Sequence, residues 1–225
     1  MTDSIRINKY IALHGGLSRR EADEYLAKKR VTLNGGVASL GAQVEAGDSV
    51  AIDGTMLGTA QFEYVALNKP VGYVCSRKRQ GDAPTIYELL PENFRTLKPV
   101  GRLDMNSSGI IILTNDGDFA HQMTHPSFHK TKVYEVQLDQ PLQPLHQQMI
   151  SDFGVMLDDG KSQFVVSRLD GKTASYQITM SEGRNRQIRR TFAALGYTVT
   201  ALHRTQFGPY QLRDLAPGTY EVVAR

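Results

Sequence analysis

The stretch "VGRLDMNSSGIIILTNDG", residues 100–117, predicts a central strand of the fold and a polar loop before it. Residues 109–113 form an unbroken apolar run of strand length, and the Asn-Asp-Gly that follows is a turn signal. The loop before this strand carries Arg102 and Asp104. Loops anchored to a buried strand often hold functional side chains, whereas a plain turn uses such polar residues only to bond its own backbone. Taken alone, the stretch favours the plain turn.

The composition is that of a folded protein. The chain has 225 residues, of which 40% are hydrophobic and 22% charged, as expected for one large domain or two smaller ones. Its net charge of +3 favours polyanionic partners only mildly. A single cysteine, Cys75, excludes an internal disulfide and fits a reducing compartment, so we predict a cytoplasmic protein.

The sequence also lacks the signals of several protein classes. No apolar run is long enough for a membrane helix, and the N-terminal residues lack the apolar segment of a signal peptide, which predicts no membrane contact. A glycine-rich nucleotide loop and the paired Cys/His spacing of a metal site are missing too. The sequence therefore has no motif that indicates a cofactor or a metal, in agreement with the reaction that the family resemblance given below implies.

Two short amphipathic helices are predicted near the N-terminus, within residues 5–15 and 17–30. The second begins with a capping box, in which Ser18 accepts from the first-turn amides and Glu21 reaches back. The basic residues at the two ends of this helix are left for solvent or for phosphates. They are Arg19, Arg20, Lys28, Lys29 and Arg30.

Short strands with Asn-Gly and Asp-Gly turns follow within residues 31–54, which predicts a small α/β domain over 1–55 and a linker over 56–61. In the remaining residues, 62–225, several strands follow one another without a helix between them. This order favours an α+β domain with a mixed, mostly antiparallel sheet and flanking helices. Strands are predicted at 64–70, 109–115, 132–138, 163–169, 173–180, 197–204 and 218–224, and helices at 84–90, 117–124, 142–152 and 184–195.

The segment "SEGRNRQIRRTFAALG", residues 181–196, places four arginines within residues 184–190. On a helix the 3.6-residue period would sort its apolar residues to one face and Arg186, Arg189 and Arg190 to the other. Guanidinium groups so close together repel one another and match the geometry of phosphate and carboxylate groups. An anionic partner is therefore expected: RNA, a protein carboxylate, or both.

An aspartate held beside arginines can act as a nucleophile or stabilise positive charge at a sugar carbon. Tyr134, in the predicted strand "KVYEVQL", is on its own best explained by ordinary packing. In an enzyme that modifies RNA, however, such a tyrosine can stack on a base that has left the helix, since enzymes that act on a base must first extrude it.

The helix pair followed by "RVTLNGGVASLGAQVEAGDSVAIDG", residues 30–54, resembles the S4-type RNA-binding domain. In that family the basic second helix and the following hairpin hold the RNA backbone. The resemblance implies RNA contacts by the basic, capping and turn residues that match the pattern. These are Arg6, Lys9, Ser18, Arg19, Arg20, Lys28, Lys29, Arg30 and Asn34.

Together with this module, five ordered blocks over nearly the whole chain resemble the RsuA/RluB/RluE/RluF family of bacterial ribosomal RNA pseudouridine synthases. The blocks are "ALNKPVGYVCS" (66–76), "VGRLDMNSSGIIILTNDGDFAHQMTHP" (100–126), "KVYEVQL" (132–138), "SEGRNRQIRRTFAALG" (181–196) and "LHRTQFGPYQLRDLAPGTY" (202–220).

This resemblance implies a role for individual residues. Asp104 would be the catalytic carboxylate, and Tyr134 would stack on the target base. Arg189 would pair with Asp104 and hold it ionised and aimed, and Arg102 would enter the RNA and keep the nucleotide flipped. Lys69 would line the same cleft. The other residues expected to contact RNA are Arg184, Arg186 and Arg190.

The reaction implied is the isomerisation of uridine to pseudouridine in ribosomal RNA, by a monomer acting on the RNA or on a partly assembled subunit. "GRNRQIRR" favours the large-subunit RNA slightly, while "LNKPVGYVCS" and "DLAPGTY" favour the small-subunit RNA. The main alternative is a non-catalytic RNA-binding factor for ribosome assembly. A glycoside hydrolase would need a carboxylate pair, and Asp158-Asp159 is better explained as solvated turn residues.

Overall fold

A computed structural model describes residues 4–59, 61–169 and 171–225 of the chain. The chain divides into two compact units, one drawn from Met1–Glu63 together with Asn115–Gly117, the other from Tyr64–Thr114 and Asp118–Arg225. Among the described residues, no helix has the length and apolar character needed to cross a membrane.

The first unit is a small α/β structure. Its core contains Ile7 and Ile11 from one helix and Ala22 and Leu26 from the next, all buried. The spacing of these residues by three or four positions is what an amphipathic helix requires. The elements are β1 Ile5–Arg6, α1 Ile7–His14, α2 Arg19–Ala27, β2 Val31–Leu33, β3 Gly36–Val37, β4 Gln43–Val44, β5 Val50–Ile52 and β6 Thr55–Met56.

The first unit contains two small antiparallel arrangements. Strands β3, β2, β5 and β6 lie side by side in that order, and β1 pairs with β4. The capping box predicted for α2 is confirmed, because Ser18 accepts from the amide of Glu21 at 3.2 Å and Glu21 accepts from the amide of Ser18 at 2.6 Å. The strand β6 includes Met56, so regular structure extends one residue into the predicted linker.

The second unit is built on a nine-stranded sheet with the order β13-β14-β10-β15-β9-β7-β17, in which β16 lies beside β15 and β8 beside β9. The strands are β7 Tyr64–Lys69, β8 Lys98–Pro99, β9 Ser108–Thr114, β10 Lys132–Leu138, β11 Val155–Leu157, β12 Gly160–Ser162, β13 Val165–Arg168, β14 Ser175–Met180, β15 Val199–Phe207, β16 Tyr210–Gln211 and β17 Tyr220–Val222, of which β11 and β12 form a separate pair. Of the pairings in the large sheet, that of β15 with β9 is parallel and the others are antiparallel. The predicted α+β class with a mostly antiparallel sheet is confirmed.

Helices cover both faces of this sheet, which explains the unbroken apolar run in β9. Ile111 and Leu113 pack into the larger core, and Ile110 and Ile112 pack into the smaller core on the opposite face. The regular helices are α3 Gly117–Thr124, α4 Pro144–Gln148 and α5 Gln187–Ala194, and single helical turns occur at Ile86–Leu89, Glu92–Phe94, Pro126–Phe128 and Met149–Phe153.

Two predicted helices are shorter than expected. The helix predicted at 84–90 is one turn, Ile86–Leu89, followed by an extended residue. The helix predicted at 184–195 begins only at Gln187, because Arg186 takes a left-handed conformation with φ of 47°. That late start changes which arginines share a helical face, and it alters the predicted site.

The glycine that opens β9 has a specific packing reason. A Cβ at Gly109, which has φ of 108°, would lie 2.2 Å from the carbonyl oxygen of Arg204 on the neighbouring strand β15. Real Cβ atoms do not approach so closely, so only glycine lets β9 and β15 pair here. This contact fixes the end of the loop that carries Arg102 and Asp104 against β15.

Candidate active site

A cavity of about 460 Å³ lies in the second unit, and the loop before β9 forms one of its walls. It brings together side chains that are distant in sequence. Of the predicted site residues, Arg102, Asp104, Tyr134, Arg184 and Arg186 line it.

Two hydrogen bonds with the segment after β7 hold the loop that carries Asp104. The amide of Gly72 donates to the carbonyl of Met105 at 2.8 Å, and the amide of Leu103 donates to the Cys75 sulfur at 3.4 Å. Within the loop, the amide of Ser107 donates to the carbonyl of Asp104 at 3.0 Å. The backbone on both sides of Asp104 is therefore fixed, while its side chain faces the cavity.

Lys69 is a buried lysine behind this loop, so its predicted contact with RNA is wrong. Its ammonium group donates to the carbonyls of Ser107 at 2.6 Å and Pro70 at 2.9 Å. Burial lowers the pKa of Lys69 to about 8, although the nearby Cys75 and Asp104 partly oppose this shift. Lys69 thus holds the loop that carries Asp104 from within the core.

The predicted pairing of Arg189 with Asp104 is corrected by the geometry. The ion pair of Asp104 is with Arg186, whose Nη1 lies 3.6 Å from Oδ2. Arg189 instead donates to the carbonyls of Asn106 at 2.7 Å and Val199 at 2.8 Å, and so joins the loop to β15. Because the helix starts at Gln187, its capping residue Arg186 is the one directed at the carboxylate.

The pKa of Arg189 is lowered, chiefly by burial and then by the neighbouring charge of Arg186. The charge of Asp104 acts in the opposite direction. Arg189 therefore acts on Asp104 through the loop that it holds, without touching the carboxylate.

Arg184 and Arg190 bind protein carboxylates, one of the anionic partners that the sequence analysis expected. Arg184 Nη1 lies 2.7 Å from Asp159 Oδ1, and Arg190 Nη2 lies 2.6 Å from Asp159 Oδ2. Arg190 Nη1 also lies 2.5 Å from Asp158 Oδ1. These bonds, with that from Arg190 first, lower the pKa of Asp159. Asp158 and Asp159 lie in a turn as predicted, and the Asp158 side chain is 83% exposed, but both carboxylates also pair with arginine. The RNA contacts of Arg184 and Arg190 stay predictions.

Tyr134 lies in the middle of β10 and is 8% exposed. It lines the cavity that Asp104 also lines, and it stands opposite Arg204 in the pairing of β10 with β15. A tyrosine in this position offers a ring at the wall of a cavity that reaches the carboxylate. The geometry is therefore compatible with stacking on a base.

The sequence interpretation missed two basic residues of the cavity wall, Lys132 and Arg204. Arg204 is 2% exposed, and its Nε donates to the carbonyl of Ile110 at 2.8 Å. Lys132 and Arg204 both lie near the ring of Phe207, at 5.7 Å and 4.7 Å from its centroid. Local sequence offers little signal for Arg204, because its burial depends on the pairing of strands that lie far apart in the chain.

In the first unit, three side chains that were predicted to contact RNA bind other groups of the protein. The Ser18 hydroxyl caps α2, and the Asn34 amide donates to Asp48 at 2.8 Å while its oxygen accepts from the amide of Ser49 at 2.9 Å. Arg30 pairs with Asp53 and stacks on Tyr25. Arg30 and Asn34 remain exposed, so the three RNA contacts stay predictions.

The other basic residues predicted to contact RNA are mostly exposed. Lys9 lies half-buried on α1. Those on the surface are Arg6, Arg19, Arg20, Lys28 and Lys29. A ready surface for phosphate contacts is therefore present on the first unit.

Comparison with known proteins decides the family. Residues 63–194 match the family model described as RNA pseudouridylate synthase, and residues 5–50 match the S4 domain. The chain belongs to the RNA pseudouridylate synthase family. Membership confirms the resemblance seen in the sequence and makes the protein an enzyme of that family.

Relatives cover both named classes of ribosomal enzyme. The chain is 38% identical to the ribosomal small subunit pseudouridine synthase A of Pasteurella multocida, over 98% of this chain and 96% of that protein. It is 34% identical to the ribosomal large subunit pseudouridine synthase B of Pseudomonas aeruginosa, over 96% of this chain and 58% of that protein. A crystal structure of a pseudouridylate synthase, 33% identical, shares the fold with a TM-score of 0.70 over 98% of this chain and 96% of that one.

Proposed function

We propose that this protein isomerises a uridine of ribosomal RNA to pseudouridine, with Asp104 as the catalytic carboxylate. The observation that carries the proposal is that Asp104, Tyr134 and Arg186 line one cavity, with Arg186 3.6 Å from the carboxylate. The names of the curated relatives support ribosomal RNA as the substrate.

The residues would divide the work as follows. Tyr134 stacks on the extruded uracil, Arg102 at the exposed rim keeps the nucleotide flipped, and Arg186 holds the carboxylate of Asp104 toward the ribose or base. Arg189 and Lys69 act as positioning residues, since they bind carbonyls of the loop that carries Asp104.

The chemistry needs no external reactant. The N1–C1′ bond breaks, the uracil turns, and C5 bonds to C1′, while the C5 proton is lost and N1 gains a proton. The product is an isomer of the substrate, so nothing is oxidised, reduced or added.

We further propose that the enzyme works in the cytoplasm as a monomer, on ribosomal RNA or on a partly assembled subunit. The S4 match at residues 5–50 supports binding of RNA by the first unit. Within ribosomal RNA, the arginine segment at 184–190 favours the large subunit as the first substrate to map.

The test is release of tritium from ribosomal RNA labelled at uridine C5. Wild type is expected to release tritium, and Asp104→Asn is expected to release none while still binding RNA. Asp152→Asn, which changes an exposed carboxylate outside the cavity lining, serves as the matched control and is expected to retain activity. Primer-extension mapping on both ribosomal RNAs then names the site.

Absence of release from naked RNA and from partly assembled subunits would contradict the proposal. It would support the non-catalytic assembly factor instead. Normal activity of Asp104→Asn would remove Asp104 from its role.

A further inference from the structure

Arg204 is a buried charged residue of this cavity to which the proposed function assigns no role. It is 2% exposed and lines the cavity with Asp104. Its partner across β10 and β15 is Tyr134, and directly paired residues on adjacent strands share a face of the sheet. Arg204 therefore stands beside the tyrosine proposed to stack on the base.

The guanidinium of Arg204 is held in place but not fully bonded. Nε donates to the carbonyl of Ile110 at 2.8 Å, and the group stacks over the Phe207 ring at 4.7 Å. Nη2 is buried and has no hydrogen-bond partner within the described residues. A buried charged donor without a partner is costly, so a protein that retains one calls for an explanation, such as a ligand that completes its bonds.

The electrostatic surroundings indicate what that ligand carries. Lys132 lines the same cavity, and its pKa is lowered by burial first and by the charge of Arg204 second. Two cations that repel each other are stabilised by an acceptor with negative charge. Glu182 partly offsets Lys132, but its carboxylate also accepts from Gln187 and lies 3.6 Å from Arg184.

Isomerisation of uridine supplies such an acceptor during the reaction. When the N1–C1′ bond breaks, its electron pair stays with the uracil, and the negative charge spreads onto O2 and O4. If a carboxylate instead adds to C6, the C5–C6 pair moves so that the charge collects on O4. In either route a carbonyl oxygen of the base becomes more negative before the C5–C1′ bond forms.

We propose that Arg204 is a catalytic residue whose guanidinium donates to a carbonyl oxygen of the target uracil and stabilises the negative charge on the detached base. The inference rests on the proposed function. It deepens that function by assigning the group that stabilises the leaving base, separately from Asp104. Preorganised donors in a water-excluded site stabilise such charge strongly, because they need no reorganisation during the reaction.

The test combines Arg204→Lys with RNA that carries 2-thiouridine or 4-thiouridine at the target position, because sulfur accepts hydrogen bonds more weakly than oxygen. In single turnover at saturating RNA, Arg204→Lys is expected to lose about 100-fold in rate or more, as for loss of one preorganised donor, with RNA affinity unchanged. One of the two thio substrates is expected to slow wild type, and to slow Arg204→Lys much less.

Arg77→Lys is the matched control. Arg77 also donates to backbone carbonyls, those of Arg95, Thr96 and Leu97, but it lies outside the cavity lining. This variant is expected to keep the wild-type rate, and thermal melting of both variants reports whether they fold.

Two results would overturn the inference. One is a loss of RNA affinity by Arg204→Lys with the full rate at saturation, which would make Arg204 a phosphate contact. The other is an undiminished rate of wild type on both thio substrates. This measurement uses no variant, so it tests the inference even if Arg204→Lys does not fold. If wild type converts no uridine at all, the proposed function fails, and that outcome is distinct from either of these.

Discussion

The structure uses two of the basic stretches of the chain in opposite ways. Around helix α2, Arg19, Arg20, Lys28 and Lys29 are exposed on the surface of the first unit. At 184–190 in the second unit, each of the four guanidinium groups contacts a carboxylate or a backbone carbonyl of the protein. Basic residues of similar density in the sequence are therefore exposed to solvent around α2, whereas at 184–190 they hold other parts of the protein in place.

The difference comes from what each stretch faces. Helix α2 presents its ends to solvent, whereas the 184–190 segment lies against the turn at Asp158-Asp159 and the loop around Asp104. We infer that the first stretch binds RNA phosphates and the second builds the catalytic loop. Removing charges from the two stretches should then have different consequences.

Among the residues that hold the loop and its neighbouring segment in place, the largest effect is expected for Arg189→Met. This change removes the bonds to the carbonyls of Asn106 and Val199, and so frees the loop that carries Asp104. We expect the single-turnover rate to fall by about 100-fold, because small displacements of a catalytic group cost that much, while RNA affinity stays unchanged. Arg189→Lys, which keeps the charge, should recover part of the rate. A weaker affinity with an unchanged rate would place Arg189 with the RNA-binding stretch instead.

Lys69→Met tests whether the loop is also fastened from the core. Because Lys69 is buried, this variant keeps the surface charge of wild type. It loses the hydrogen bond to the Ser107 carbonyl. We expect a rate loss of about 10-fold without a change in the salt dependence of RNA binding. Chemical denaturation and rate measurements on both proteins check this, and a rate equal to wild type would show that Lys69 does not position the loop.

The pH dependence of stability gives Lys69 a second signature. Its pKa is about 8 in the folded protein, below the ordinary value of 10.5 that the unfolded chain would have. Between pH 8 and pH 10.5 Lys69 is protonated in the unfolded chain but largely neutral in the folded protein. Burial of the charged lysine lowers the free energy of unfolding fully below pH 8, and this loss disappears as the pH rises toward 10.5. Relative to Lys69→Met, wild type should gain at most about 3 kcal/mol of unfolding free energy across that range. A constant difference would contradict the buried charged lysine.

A smaller effect is expected for Asp159→Asn. This change weakens the pairs with Arg184 and Arg190, which fix the segment that carries Arg186. The ion pairs are partly exposed, so we expect a modest drop in melting temperature and a rate loss of only about threefold. Because the pKa of Asp159 is lowered, the stabilisation is present at neutral pH and is lost as pH falls through that pKa. If Asp159→Asn melts at the wild-type temperature at pH 7, the ion pairs of Asp159 do not stabilise this segment.

Much of the fold and part of the site were predictable from the sequence. Helices α1, α2 and α3 and the strands around Ile110 and Tyr134 follow from periodicity and turn chemistry, because these are local properties. Asp104 and Tyr134 were found through the resemblance, and the cavity brings them together.

The partners of individual charges were not predictable. Arg186 pairs with Asp104 because one residue at the start of α5 takes a left-handed conformation, a detail that helical periodicity does not contain. The ion pairs of Asp159 and the burial of Lys69 and Arg204 depend on contacts between segments far apart in the chain. Such contacts follow from tertiary packing and leave little trace in local sequence.

The most direct test of the account is the salt dependence of RNA binding by two double variants. Lys28→Gln/Lys29→Gln removes two exposed charges from the first unit, and Arg184→Gln/Arg190→Gln removes two from the second. If the first pair contacts phosphates, its variant releases fewer counterions, and the slope of log affinity against log salt should be shallower by about 1.5. The second variant should keep the wild-type slope. A shallower slope for Arg184→Gln/Arg190→Gln and an unchanged slope for Lys28→Gln/Lys29→Gln would contradict the account.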